Sequence, residues 1–234
     1  MDLSVCFGTM NRLEMLKGCV ESVRKGVGSL SYEIVITDGG SRDGTVEWIK
    51  KERDCFVAQN VPRNDIILVE HGEARGAVRA YYDAFCLARG EYVCYLSDDL
   101  VMPPGMLQRA VEYLKDNPQC GVVSLPYQNP KQGVVQLVYA RVGNHRLPFA
   151  CFGVLKREDG IKIDWVPRVT YHYYLDVGIC LGIHGLGKTV EALPGELVIQ
   201  HLMADNVTRG ELIDIGYSSK RDGAAFNQYW SERL

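Results

Sequence analysis

Glu91-Tyr92-Val93-Cys94-Tyr95-Leu96-Ser97-Asp98-Asp99 reads as a buried strand that stops on a pair of carboxylates. Five consecutive apolar residues, Tyr92 to Leu96, suit a strand covered on both faces, and such strands belong to parallel sheets. The acidic step then falls at the carboxyl edge of the sheet, where open α/β folds hold their ligands. Carboxylate oxygens placed there suit a hard cation and the phosphates it bridges. The same two aspartates also suit a cap on the following turn, so the pair alone leaves both readings open.

Outward from this stretch, short β-branched runs alternate with segments of helical period. The strands are predicted at Leu3 to Phe7, Glu33 to Thr37, Asp65 to Val69, Glu91 to Leu96 and Gly121 to Leu125. Helices are predicted at Arg12 to Arg24, Gly44 to Arg53, Gly76 to Ala88 and Pro104 to Lys115. Within the third of these, Ala77, Val78, Tyr81, Ala84, Phe85 and Ala88 keep the i, i+3, i+4 spacing of one buried face. Alternation of this kind predicts an α/β fold, a mostly parallel sheet with helices on both faces. After Pro126 the rhythm breaks. Pro126, Pro130, Pro148 and Pro167 interrupt strand-like runs at Val134 to Val142 and Phe149 to Leu155, which predicts antiparallel strands added to the same sheet. Asn206 to Ser219 lacks period and is expected to be a mobile loop, followed by a helix near Ala224 to Glu232.

The 234 residues suit one domain, 1–234, divided into parts 1–125, 126–205 and 206–234. A net charge of −3 gives no long-range pull toward nucleic acid or an anionic membrane. Any anionic ligand must be held by local geometry. The eight cysteines form no C-x-x-C pair and several lie in apolar runs, as buried thiols of a reducing compartment do. The first strand begins almost at once, and no apolar stretch approaches the roughly 18 residues of a membrane span. A cytoplasmic protein with no integral membrane segment and no nucleic-acid partner is expected.

Two further loops leave the carboxyl ends of predicted strands: Gly8-Thr9-Met10-Asn11-Arg12, and Asp38-Gly39-Gly40-Ser41-Arg42-Asp43-Gly44-Thr45. Asp38 at the end of its strand can accept from a nucleobase imide or a ribose hydroxyl, and Gly39 lets a flat ring approach the backbone. Turn formation and helix capping explain the same residues, Ser41 and Asp43 above all. A dinucleotide fold needs G-x-G-x-x-G after its first strand, and only Gly8 is present. Gly182-Ile183-His184-Gly185-Leu186-Gly187-Lys188-Thr189 satisfies the P-loop string G-x-x-x-x-G-K-[ST]. A P-loop also requires a strand before it and a helix after it. Here Pro194-Gly195 and Leu197-Val198-Ile199 follow, which read as a turn and a strand.

Taken in order, Thr9-Met10-Asn11-Arg12, Asp38 to Thr45, Ala88-Arg89-Gly90-Glu91-Tyr92, Leu96-Ser97-Asp98-Asp99 and Pro103-Pro104-Gly105 resemble a family 2 glycosyltransferase of GT-A fold. The resemblance runs over nearly the whole chain. It implies a nucleoside-diphosphate sugar as donor, with Thr9, Asn11, Arg12, Asp38 and Gly39 on the nucleotide and Arg75 and Arg79 near the diphosphate. Ser97-Asp98-Asp99 falls on the family's Asp-x-Asp motif, with Ser97 in the first place. Asp99 is then the expected ligand of a divalent metal, Mn2+ or Mg2+, while Ser97 and Asp98 face the donor. Gly8 stands where the family often has proline, and Tyr81-Tyr82 where it often has Arg-Asn. Tyr174-Leu175-Asp176-Val177-Gly178 resembles the family's Glu-Asp-x-Asp segment, with Asp176 as catalytic base and Leu175 and Gly178 in place of acids. Leu197 to His201 resembles the strand whose histidine completes the metal site.

The resemblance therefore implies inverting, metal-dependent sugar transfer to a saccharide or other hydroxyl acceptor. The lost acids at Ser97, Leu175 and Gly178 keep a non-catalytic nucleotide-sugar-binding module as an alternative, beside the P-loop reading. Asn206 to Ser219, with Arg209, is expected to close over the donor.

Overall fold

The computed structural model describes residues 1–57, 65–130, 132–142, 145–202, 215–231 and 233. β1 (Leu3–Thr9), β2 (Tyr32–Asp38), β3 (Asp65–Glu70) and β4 (Tyr92–Tyr95) are joined by α1 (Leu13–Gly26), α2 (Thr45–Val57) and α3 (Ala77–Leu87). A short β5 (Leu100–Val101), α4 (Met106–Asp116) and β6 (Cys120–Ser124) follow. β1 pairs in parallel with β2 on one side and β4 on the other, and β3 pairs in parallel with β2. The predicted alternation is present, with each boundary shifted by a few residues, as frayed ends allow.

The second half supplies β7 (Tyr127–Asn129), β8 (Gly133–Val135), β9 (Val138–Val142), β10 (His145–Phe149), β11 (Gly153–Lys156), α5 (Arg157–Lys162), α6 (Leu175–Gly185), β12 (Thr189–Ala192), β13 (Ile199–His201) and α7 (Ile215–Ser231). The main sheet has seven strands in the order β12-β6-β11-β4-β1-β2-β3. β11 lies antiparallel between β4 and β6, and β12 extends the edge parallel to β6. A segment from beyond residue 150 thus occupies the middle of the sheet that the first half begins.

The expectation that the later strands join this sheet holds for β11 and β12 and is corrected for the others. β5, β13, β7 and β8 make a separate four-stranded sheet, and β9 with β10 a hairpin. Pro126 turns the chain away from β6, and its carbonyl accepts the Ile199 N–H at 2.8 Å, which starts the small sheet. The predicted run Val134 to Val142 is cut at Gln136, whose carbonyl accepts from Ser124 Oγ at 2.6 Å. Phe149 to Leu155 is likewise cut, because Ala150 N–H turns to Cys180 Sγ at 3.4 Å. Finally, α7 already begins at Ile215, so the stretch read as a loop up to Ser219 is helical at its end. The rest of that loop, Arg209 included, lies outside the described residues.

Both faces of the sheet are covered. Val5, Phe7, Ile34 and Ile36 pack with Leu16, Val20 and Val23 of α1 and Leu107 and Val111 of α4. On the other face Cys6, Val35, Val93 and Tyr95 pack with Val78 and Phe85 of α3 and Ile179 and Ile183 of α6. Among the charges buried in this frame, one ties the strands together. Glu33 of β2 accepts from Ser4 Oγ (2.6 Å) and Arg89 N–H (2.7 Å) and pairs with Arg89 Nη2 (2.6 Å). It ties β1 and β2 to the turn before β4, where a Cβ on Gly90 would come within 2.5 Å of Ser4 N.

The P-loop string does not build a P-loop. Its first residues finish α6 and its last begins β12, so helix, turn and strand stand where strand, loop and helix are required. Lys188 Nζ is held by Asp159 Oδ2, a fully buried carboxylate on α5.

Candidate active site

A cavity of about 290 Å3 opens at the carboxyl ends of β1 and β4. Thr9, Asn11 and Arg12 of the β1–α1 loop, Gly39, Arg75, Ser97, Asp98 and Asp176 line it. These eight expected site residues make up part of its wall. Asn11 adopts φ 51, a conformation asparagine tolerates better than most residues. Its N–H donates to Ser41 Oγ at 2.9 Å, and its Oδ1 accepts from Arg42 N–H at 2.7 Å, so the loops after β1 and β2 are fastened together.

Asp38 Oδ2 accepts from the N–H groups of Gly40 (2.8 Å) and Ser41 (2.9 Å), which is turn chemistry. Its Oδ1 is buried and has no hydrogen-bond partner among the described residues. The turn reading of Asp38 thus accounts for one oxygen of its carboxylate and leaves the other without a partner. Asp43 serves the turn alone, accepting from Thr45 Oγ1 at 2.6 Å and Leu13 N–H at 2.9 Å.

At the acidic step, Arg12 Nη1 lies 2.7 Å from Asp98 Oδ1 and Arg12 Nη2 lies 2.8 Å from Asp99 Oδ2. Thr9 Oγ1 donates to Asp98 Oδ2 at 2.7 Å. Protein donors thus engage both oxygens of Asp98. Asp99 keeps one oxygen, Oδ1, 3.5 Å from His201 Nε2 and with no hydrogen-bond partner of its own. Burial alone would push the Asp99 carboxyl up. His201, Ser97 and Arg12 outweigh it and hold the group well below the usual carboxylate range. The His201 ring is fixed edge-on by Tyr127 and Phe152, with centroids 5.8 and 5.4 Å away.

Asp99 Oδ1 and His201 Nε2 lie 3.5 Å apart, and an oxygen and an imidazole nitrogen so placed are donor types that suit a divalent cation. Among the described residues no group of three or more His, Cys, Asp or Glu side chains is placed to hold a metal.

Asp176 stands in the first turn of α6, and its Oδ1 accepts from Val177 N–H at 2.9 Å. Burial raises its carboxyl to about 6, more than that hydrogen bond and the neighbouring Cys151 lower it. Of the expected site residues, Asp38, Asp99 and His201 do not line the cavity, and neither does Arg79. It lies on the outer side of α3, paired with Asp83 at 2.8 Å, because its helix presents Ala80 and Tyr81 to the cavity. Arg75 remains on the wall, half exposed, with Glu73 3.5 Å away.

Sequence reasoning missed His71, His172 and Cys151, which also line the cavity. His71 follows β3 as Asp38 follows β2, so its place after a strand was the available signal. Its Nε2 lies 2.9 Å from Asp83 Oδ2, and its Nδ1 is buried without a partner. His172 sits in an irregular segment that carries no periodicity, and Cys151 in a run whose pattern reads as a strand and nothing more.

A parallel-centred sheet with an antiparallel strand beside an acidic step, and a cavity over the strand ends, define the GT-A class of fold. The sequence matches the model of glycosyl transferase family 2 over residues 4–163, and the chain belongs to that family. A mannosyltransferase from Pyrobaculum calidifontis, PcManGT, solved in complex with GDP-Man and Mn2+, is similar in structure at a TM-score of 0.66 and 21% identity, over 89% of this chain and 59% of that one. TarS 1-349 of S. aureus in complex with UDP-GlcNAc superposes at a TM-score of 0.63 and 14% identity, over 99% of this chain and 73% of that one. This chain therefore spans about three fifths of the length of the mannosyltransferase. Among curated proteins no sequence matches it.

Proposed function

We propose that this chain transfers a glycosyl group from a nucleoside-diphosphate sugar to a hydroxyl acceptor with inversion, Asp176 acting as general base. The observation that carries the reading is one cavity wall bearing both Asp176, with its carboxyl raised to about 6, and the Thr9–Asp98–Arg12 cluster. A base whose carboxyl titrates near neutrality takes a proton more readily in the transition state than an ordinary aspartate.

In this reaction the acceptor oxygen forms a bond to the anomeric carbon as the bond from that carbon to the diphosphate oxygen breaks. The electron pair leaves with the nucleoside diphosphate, and the acceptor proton passes to Asp176. Attack opposite the leaving group inverts the centre. Arg75, on the cavity wall, offers positive charge to the diphosphate, and the unpartnered Asp38 Oδ1 offers an acceptor to the nucleoside. Asp99 and His201 would hold a divalent cation, whose chemistry when bound is Lewis-acid neutralisation of the leaving diphosphate. The donors bound by the mannosyltransferase and by TarS, GDP-Man and UDP-GlcNAc, support a nucleotide sugar as the substrate class.

No helix among the described residues is long and apolar enough to cross a membrane. The described cysteines are free thiols, most of them buried, which fits the reducing compartment expected of a cytoplasmic protein.

The test is a panel of nucleotide sugars, with thermal shift and donor turnover read with and without Mn2+. Metal-dependent stabilisation by at least one donor, with turnover lost in Asp176→Asn, is expected. Binding without any turnover would favour the non-catalytic module, and no binding at all would overturn the reading.

A further inference from the structure

The segment 171–174, which leads into α6 and Asp176, is held from two sides. On one side stands α7. The carboxylate of Asp222, 1% exposed, accepts three consecutive main-chain N–H groups: Tyr171 at 3.0 Å to Oδ1, and His172 at 2.7 Å and Tyr173 at 3.0 Å to Oδ2. Arg221 Nη2 lies 3.2 Å from Oδ1, and its guanidinium sits 5.3 Å from the centre of the Tyr171 ring. One turn further along α7, Phe226 stacks on Tyr174 with ring centroids 4.7 Å apart. On the other side stands the cavity. Tyr171 OH donates to Ala74 O at 2.9 Å, and Val78 N–H donates to Tyr171 O at 3.2 Å. Gly76 is obligatory there, since a Cβ on it would lie 2.3 Å from Tyr171 O.

Three successive N–H groups pointing to one place cannot be paired by a helix or a strand ladder, and they form a concave anion site in the backbone. Here the anion is built in. Directly after it, Tyr174 takes the left-handed conformation at φ 69. A bulky residue stays in that conformation only where its surroundings fix it. α6 starts at the next residue, with Asp176 in its first turn. The direction in which α6 sets out, and hence where Asp176 meets the cavity, depends on that turn.

We propose that Asp222 is a positioning residue for Asp176. Its carboxylate locks 171–173, the locked segment holds Tyr174 left-handed, and the turn sets where Asp176 meets the cavity. The C-terminal helix α7 is then part of the active-site scaffold. The kinetic consequence rests on the proposed transferase reaction, whereas the structural one does not.

The experiment uses the full chain with Asp222→Ala and Asp222→Asn. It measures amide hydrogen exchange by peptide, affinity for a nucleoside diphosphate by calorimetry, and kcat and KM for donor turnover. For Asp222→Ala the expected result is faster exchange confined to 171–176 and its immediate contacts. A displaced catalytic group costs about a hundredfold in kcat, while nucleoside diphosphate affinity stays within about threefold. Asp222→Asn keeps one acceptor oxygen and should fall between Asp222→Ala and the unaltered chain, so it carries the test if the alanine variant does not fold. Wild-type kcat in both variants overturns the proposal. So does exchange raised across β1 and β2 as well, with kcat falling only as the folded fraction falls, because that marks a general staple. If the unaltered chain turns over no nucleotide sugar, the reaction assignment falls and exchange alone decides. Unchanged exchange at 171–176 then overturns the positioning, and accelerated exchange upholds it.

Discussion

Arg12 Nη2 donates to Asp99 Oδ2 at 2.8 Å while the other amino nitrogen of the same guanidinium sits 2.7 Å from Asp98 Oδ1. One cation therefore bridges two adjacent carboxylates, all three side chains being at most 7% exposed. Removing it would leave two like charges side by side away from water. Breaking such a buried pair costs about 3–5 kcal/mol, so Arg12→Ala should lose stability on that scale in urea unfolding. Arg12→Lys restores the charge without the two-pronged geometry and should recover only part of the loss. A loss under about 1 kcal/mol would place the pair among inconsequential surface bridges.

Asp99 links the same cluster to acid stability. Its carboxyl is held below the unfolded value of 3.8 in the folded chain, so the folded state binds fewer protons than the unfolded state in that window. Its contribution is complete above pH 4 and fades as pH falls below that toward the folded value. Asp99→Asn should therefore flatten the stability profile below pH 4. Asp99→Ala should in addition abolish the Mn2+-dependent thermal shift produced by a nucleoside diphosphate. If that shift survives, Asp99 is not the metal ligand.

Asp176 has the opposite sign. Burial raises its carboxyl from 3.8 to about 6, so the folded state holds the proton more tightly and stability falls as pH rises from 4 to 6. At neutral pH the buried charge costs on the order of 1–3 kcal/mol. Asp176→Asn should consequently unfold at higher temperature than the unaltered chain at pH 7 while losing sugar transfer and keeping donor binding. In the unaltered enzyme, kcat should fall on the acid side with a midpoint near 6. A destabilised or fully active Asp176→Asn would remove the base assignment.

Lys188→Ala separates the P-loop string from the site. Lys188 is the close partner of Asp159, and Lys162 Nζ lies 3.4 Å from the other oxygen of that carboxylate. Losing a hydrogen bond to a charged group costs roughly 1.5–3 kcal/mol, so the variant should melt earlier yet bind nucleoside diphosphate normally. Loss of nucleotide binding in a folded variant would return function to that loop.

The first half of the fold was legible because β2, β4 and β6 are continuous buried runs, β1 nearly so, and the helices repeat their apolar faces, patterns that local sequence carries by itself. Partner choice is not local. Nothing in Gly153-Val154-Leu155-Lys156 says that it enters between β4 and β6, because an apolar run records burial but not which neighbour provides it. The site divides along the same line. Thr9, Asp38, Ser97, Asp98 and Asp99 were visible as polar residues that end strands. Asp222 was not, since its three acceptor contacts reach back about fifty residues to a segment with no period of its own. Arg79 misled for a related reason: its charge suggested a diphosphate, and only the rotation of α3 shows that it faces away from the cavity.

The antiparallel strand β11 also imposes an order of biosynthesis. As the chain leaves the ribosome, β4 and β6 emerge well before Gly153, and β11 lies between them in the finished sheet. Until it arrives, each presents an unpaired edge of buried residues, and such edges invite pairing with other chains. Truncation at Leu125, which removes β11, β12 and α6 together, should thus yield an aggregating nascent product, read by sedimentation. For this molecule the acidic step becomes safe to expose only after a stretch encoded far downstream has been translated.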